Sequence, residues 1–239
     1  MVDALLLKLG QHDRISDEER ELLKRAFTRE RAYSADRDIV SAGARPSVCT
    51  TLLDGFAARY KMLASGKRQI TAILVPGDII DLNGFLCKTM DQGVVALTAC
   101  RVAIADHDSI GRITDTAPHL TRLLWLDTLI DAAIHREWLV AMGRRRKSAQ
   151  LAHFICEIHM RLGIIEQTDG HRFHLPLSQA ELADVLGISV VHFNRVLQEL
   201  RQQGLITWSN HTVEIRDAHR LRQTAEFDPT YLSLQFEPR

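Results

Sequence analysis

From residue 38 to about residue 104, short apolar runs rich in Val, Ile, Leu and Thr alternate with Gly, Pro or Asp, at residues 39–40, 49–53, 56–63, 70–75 and 94–104. Runs of that length, punctuated that way, predict the strands of an antiparallel barrel or sandwich. Ser65-Gly66-Lys67 predicts a hairpin loop between two of them, and Pro76-Gly77-Asp78 a turn that redirects the chain. Ahead of the strands, Ser16 with Glu19 three residues on has the form of a capping box. Leu22, Leu23 and Phe27 supply one apolar face, so a short helix is expected over residues 16–27.

The period changes after Pro118. Leu123, Leu126, Ile130, Ile134, Trp138 and Ala141 recur at helical spacing in a stretch without Gly or internal Pro, which predicts one helix over residues 118–142, about 35 Å long at 1.5 Å per residue. Leu120, Leu124 and Leu129 fall off that stripe, so the helix carries more than one apolar surface. One is expected to pack on the strand domain. The other is expected to pair with a second copy of the chain through Leu123, Leu126, Ile130, Ile134 and Trp138; packing against a second domain is the other way to cover it. Gly143 and the basic run Arg144-Arg145-Arg146-Lys147 then interrupt the pattern, which resumes through Leu151, Ile155, Ile158 and Leu162. The expected organisation is a barrel domain with its N-terminal helix over 1–117, a dimerisation helix over 118–142, and a further domain with a tail over 143–239.

Within that last domain, residues 177–200 spell two helices joined by a tight turn. Ser178 caps the first, with Glu181 completing a capping box and Leu182, Val185 and Leu186 facing inward. Gly187 stands where the turn needs a positive φ. Ser189 caps the second helix, whose inner face is Phe193, Val196, Leu197 and Leu200, with Gly204 as its stop. Val190, Val191, Asn194, Arg195 and Gln198 remain on its outer face. An exposed stripe of apolar, amide and guanidinium groups suits a recognition helix, because Arg can grip guanine O6 and N7, Asn can pair with adenine and Val can touch a thymine methyl. Ser178, Gln179, Ser189 and His192, at the two helix starts, are the expected phosphate contacts. Residues 205–208 and 212–215, about a Ser209-Asn210-His211 turn, predict a hairpin that forms a wing.

Composition narrows the chemistry. Lys plus Arg and Asp plus Glu number 30 each in 239 residues, so attraction to nucleic acid must come from a local basic surface. No phosphate-binding Gly loop, HExxH or GxSxG is present, and the chain is not expected to be an enzyme. The N-terminus lacks the form of a signal peptide and the longest apolar region is broken by charges, so a cytoplasmic protein with no membrane role is expected. The four cysteines form no CxxC pair. His153, Cys156 and His159 share one arc of a helix, too narrow to complete a tetrahedral metal site. They are expected to pack, and His171 and His174 to lie in loops.

The whole order, and above all the helix-turn-helix with its wing, resembles the Crp/Fnr superfamily of bacterial transcription regulators. Residues 52–55 through 76–79, Leu52-Leu53-Asp54-Gly55 to Pro76-Gly77-Asp78-Ile79, resemble that family's cyclic-nucleotide-binding-type barrel. The resemblance implies an α+β chain: a jelly-roll β-barrel, a long dimerisation helix and a C-terminal winged helix-turn-helix. It also implies a homodimer on a pseudo-palindromic DNA site, with RNA polymerase as a further partner. Two departures bear on function. Cyclic-nucleotide binders of the family carry Gly-Glu-Leu and then an Arg; here the first region reads Ile80-Asp81-Leu82-Asn83-Gly84-Phe85 and the Arg position falls near Met90-Asp91-Gln92, so no cyclic AMP is expected. Many members place Glu where Val191 stands, paired with the Arg matching Arg195, so a different half-site is expected. The cysteine group of the family's iron-sulfur sensors has no counterpart before Cys49. No cofactor is expected, and the regulator is either controlled by an unspecified signal or constitutively active; the alternative is a ligand- or redox-sensing module that acts through protein contacts.

Overall fold

The computed structural model describes residues 1–238 and divides into two compact units. The first comprises residues 1–61, 72–131 and the C-terminal segment from Ser233. It opens with helices α1 (Asp3–Gly10) and α2 (Asp17–Ala26). Six strands follow: β1 (Arg29–Tyr33), β2 (Asp38–Val40), β3 (Val48–Asp54), β4 (Ala57–Met62), β5 (Arg68–Leu74) and β6 (Gly93–Ala96), with helix α3 (Leu82–Cys87) between the last two. Strand β7 (Cys100–Asp106) and helix α4 (His107–Thr116) complete it. The strands form two sheets, ordered β1-β7-β3 and β2-β6-β4-β5.

Alternation along the strands divides the apolar residues between two cores. Leu52, Ala57, Leu74, Ile80, Val94 and Val102 fill the space between the sheets. A second core joins α1, α2, α4 and the start of α5 (Pro118–Arg144) through Leu5, Leu9, Leu23, Phe27, Ile113, Leu120 and Leu123. The expected run 94–104 is two strands rather than one, because residues 97–99 leave the sheet to let Thr98 Oγ1 accept the Phe56 N–H at 2.9 Å. Strand β1 is a polar edge strand whose residues are mostly exposed, so it has no hydrophobic alternation to read. Helix α1 buries Leu5, Leu6 and Leu9, and Gly77 lets the barrel approach it closely: a Cβ there would stand 2.7 Å from the Ala4 carbonyl oxygen.

The second unit comprises residues 62–71 and 132–232. Helix α5 runs two residues beyond the expected end, and the break falls at Arg145-Arg146, before α6 (Lys147–Ile164). Next come β8 (Thr168–Asp169), β9 (Arg172–His174), α7 (Gln179–Leu186), α8 (Val190–Gln202), β10 (Ile206–Ser209), β11 (Thr212–Ile215) and α9 (Ala218–Ala225). The four strands make one sheet, β10-β11-β9-β8, so His174 ends a strand rather than lying in a loop. Helix α6 packs on α7, α8 and α9. Its one fully buried carboxylate, Glu157, accepts hydrogen bonds from Trp138 Nε1 and the Tyr231 hydroxyl, both at 3.0 Å, and pairs with Arg161 at 3.2 Å. The tail therefore packs on α6, with Tyr231 stacked on His153.

The expected dimer stripe needs correction. Leu123, Ile130, Ile134 and Trp138 are buried within the chain and Leu126 is half-buried, so these side chains face the chain's own cores. Leu123 belongs to the core of α1, α2 and α4, whereas Trp138 bonds to Glu157. The apolar side chains that α5 leaves exposed are Trp125, Leu129, Leu139 and Val140.

At the start of α5, His119 bridges two carboxylates, Nδ1 to Glu19 at 2.7 Å and Nε2 to Asp13 at 3.1 Å. Burial alone would lower the His119 pKa, but the Glu19 and Asp13 carboxylates outweigh it and raise the pKa above its ordinary value; Glu19 is held below its own. A raised histidine contributes stability that is full below its unfolded pKa and is lost as pH rises through the folded one; Glu19 contributes above its unfolded pKa. The clamp therefore holds between the carboxylate range and the raised histidine pKa. His119→Ala is expected to lower the melting temperature at pH 6, with the deficit shrinking as pH rises past 8. A deficit that is the same at both pH values would contradict the clamp.

Candidate nucleic-acid interface

Helix α7 begins as its sequence dictates. Ser178 Oγ accepts the Glu181 N–H at 3.2 Å and the Glu181 carboxylate accepts the Ser178 N–H at 2.6 Å, a reciprocal capping box. The helix ends at Gly187, whose φ of 65° lies in the left-handed region that glycine adopts without strain. Ser189 Oγ then accepts the His192 N–H at 3.2 Å and starts α8. At the far end of α8, the Leu205 N–H bonds to the Leu200 carbonyl and the Gly204 N–H to that of Arg201, a Schellman closure with Gly204 at φ 69°.

Burial divides α8 into two faces. Phe193, Val196, Leu197 and Leu200 are buried. Val190, Val191, Arg195 and Gln198 are exposed and Asn194 is half-buried. Val191 shows 65% of its surface to solvent, next to Val190 at 40%. Ser178, Gln179, Ser189 and His192 are also exposed. Gln179 is tied by its side-chain oxygen to Asn194 Nδ2 at 3.0 Å. The wing is the β10–β11 hairpin, with Ile206 paired to Ile215 across it, and Asn210 and His211 at φ 49° and 61° form its two-residue tip.

The carbonyls that α7 exposes at its C-terminus are met by residues that composition and periodicity did not single out. Gln69 Nε2 donates to the Asp184 carbonyl at 2.8 Å, Lys147 Nζ donates to that of Leu186 at 2.8 Å, and Arg68 pairs with the Asp184 carboxylate at 2.8 Å. Lys147 thus belongs to the internal bonding, as does Arg145 through Glu137 at 3.1 Å, while Arg144 and Arg146 stay exposed. The His153, Cys156 and His159 arc is packing. Burial pushes the His153 pKa down to about 4 and the Cys156 thiol up to about 12. Among the described residues no group of His, Cys, Asp or Glu is placed to hold a metal ion.

The same architecture recurs in known proteins. Residues 149–224 match the family model of the Crp-like helix-turn-helix domain, and residues 30–117 that of the cyclic nucleotide-binding domain. The chain belongs to the Crp/Fnr superfamily of transcription regulators. It is similar to the transcriptional activator protein FnrL of Cereibacter sphaeroides, with 26% identity over 83% of this chain and 81% of the relative. It is also similar to the nitrogen fixation regulation protein FixK of Bradyrhizobium diazoefficiens, with 26% identity over 73% of this chain and 72% of the relative. The solved structure of FixK2 from Bradyrhizobium japonicum shares the fold, with a TM-score of 0.75 and 23% identity over 82% of this chain and 96% of that one. This Crp/Fnr protein is accordingly a DNA-binding transcription regulator and not an enzyme.

The turn between α7 and α8 gives a direct test of the local account. Gly187→Ala forces a Cβ into the left-handed region and to 3.1 Å from Gln69 Oε1. It is expected to cost about 1–2 kcal/mol in chemical denaturation. An unchanged denaturation midpoint would contradict the assigned turn.

Proposed function

We propose that this chain is a cytoplasmic homodimer that binds a pseudo-palindromic DNA site without an added effector and acts on transcription through RNA polymerase. The observation that carries the reading is the exposed outer face of α8. Had Val190 to Gln198 been buried, a module acting through protein contacts would have been favoured; instead Val191 and Arg195 stand open to solvent. Arg195 and Asn194 are then the base-reading side chains, with Val190, Val191 and Gln198 beside them, and the α7 and α8 starts at Ser178, Ser189 and His192 meet phosphate. Relatives named as activators support the link to transcription.

Independence of a cyclic nucleotide rests on the cavity beside the barrel. It is about 110 Å³ and is lined by Lys8, Arg59, Asp78, Asn83, Asp127 and Asp131, among others. Ligand pockets are typically roughly 300–1,000 Å³. Its cations are already engaged: Lys8 Nζ lies 2.8 Å from Asp78 and 2.6 Å from Asp127, and Arg59 lies 2.7 Å from Asp131. A cyclic phosphate needs an available cation and donors, and three carboxylates at that place oppose it. These residues do not fit a cyclic nucleotide. A redox reading is weak for the buried thiols, since burial pushes Cys49 up to about 12 and also raises Cys100.

The dimer seam is the exposed line of α5. Trp125, Leu129, Ala132, Arg136, Leu139 and Gly143 follow the alternating spacing of four and three that keeps one stripe facing a partner helix. Val140 lies beside it. A double variant, Leu129→Glu with Leu139→Glu, is expected to sediment as a monomer, and a dimer of undiminished stability would contradict this seam.

Selection of bound sequences from a random duplex pool, with purified protein and no effector, tests the reading. A palindromic motif with half-sites about 34 Å apart is expected. Arg195→Ala is expected to lose about 1–3 kcal/mol of discrimination at one base pair of each half-site. Absence of enrichment would contradict effector-free binding, and equal losses by the Arg195 variant on all sequences would contradict its base-reading role.

A further inference from the structure

We infer that Gln179 is a positioning residue for base reading: it locks the Asn194 amide so that Asn194 reads adenine in the major groove. The inference rests on the DNA-binding reading of α8. Gln179 is the first residue of α7 and Asn194 the fifth of α8, so the turn at Gly187 brings together two amides fifteen positions apart in the sequence. The contact is directional. Asn194 Nδ2 donates to Gln179 Oε1 at 3.0 Å, with Gln179 exposed and Asn194 half-buried at the start of the outer face.

An asparagine amide has one acceptor oxygen and two N–H groups. Giving one N–H to Gln179 leaves Asn194 an oxygen and one N–H, an acceptor beside a donor. Adenine offers the complement on its major-groove edge, the N6 amino donor and the N7 acceptor. Guanine offers two acceptors there, O6 and N7, and would set the Asn194 oxygen against a lone pair. Reversing the Asn194 amide alone would bring two acceptor oxygens together at hydrogen-bond distance. Reversing both amides would engage the Asn194 oxygen and present two N–H groups, the pattern that suits guanine. The observed direction of the bond therefore chooses the base. Composition and spacing suggested a phosphate contact for Gln179 because it sits at a helix start; a phosphate would be met by Nε2, while the oxygen holds the neighbouring Asn194.

Selection from a random duplex pool, run in parallel for four proteins, tests this. The natural protein is expected to enrich adenine at one position of each half-site, and Asn194→Ala to lose about tenfold in that preference. Gln179→Ala is expected to lose most of the same preference while keeping those at the other positions. In Gln179→Glu the carboxylate only accepts, so the Asn194 N–H remains engaged; adenine preference is expected to survive although binding weakens on every duplex, because a negative charge has been placed near phosphate. Circular dichroism melting of each variant checks that α7 and α8 remain folded. If Gln179→Ala weakens all sequences evenly and keeps its adenine preference, Gln179 is a phosphate contact and the inference fails. Enrichment of guanine at that position overturns it as well. Failure of the natural protein to enrich any sequence would count instead against effector-free binding, the reading on which the inference rests.

Discussion

The N-terminal unit depends on one half-buried ammonium group. Lys8, from a helix that precedes the barrel, places Nζ between the carboxylates of Asp78 and Asp127 at 2.8 and 2.6 Å. Burying an ammonium group is costly unless it is paired, and one carboxylate of that pair left alone would be costly too. Burial by itself would lower the Lys8 pKa, but the two carboxylates outweigh it and hold the group charged beyond the ordinary lysine range. Asp78 is fixed in turn, since it accepts the Val75 N–H at 2.8 Å within the Pro76-Gly77 turn. Asp127 belongs to α5, so a single cation ties together the leading helix, a barrel turn and the long helix. A neighbouring pair, Arg59 with Asp131, adds a second tie, and Arg59 also donates to the Ile79 carbonyl at 3.1 Å. In this protein the charges that a ligand would have to supply at that place are part of the chain.

The C-terminal unit solves a different problem, that of holding a short helix pair rigidly. Its inner faces are apolar, its helix starts are capped by Ser178 and Ser189, and its turn uses the one residue type suited to a positive φ. The end of α7 depends on the chain outside the motif. Gln69 and Lys147 supply donors to its last carbonyls, and residues 62–71, which contain Gln69, belong with this unit. Rigid placement matters because bidentate reading of a base edge tolerates little displacement of the amide or guanidinium that performs it.

The helix-turn-helix was legible in the sequence because its signals are local: caps, a turn glycine and helical spacing all fall within residues 177–204. The barrel strands were legible where they alternate and invisible where they do not, as at the polar edge strand Arg29–Tyr33. The two-stranded piece at Thr168–Asp169 and Arg172–His174 did carry a signal, a glycine, Gly170, at the first position of a two-residue loop. On α5, periodicity found the dominant apolar stripe and assigned it to a partner. The chain uses that stripe for its own cores and leaves the weaker line through Trp125 and Leu139 exposed. A hydrophobic period says that a face is covered and not by what. The ion set of Lys8, Asp78 and Asp127 was illegible for a similar reason, since it joins residues up to 119 positions apart.

On the reading proposed above, these internal ions, and not a bound nucleotide, set the state of α5. Hydrogen exchange of the full-length protein, followed with and without millimolar cyclic AMP, measures this directly on the amides of residues 118–144. Strong protection without the nucleotide and no change when it is added are expected. Weak protection that rises on addition of cyclic AMP would show that the barrel still takes a ligand, and would contradict the account.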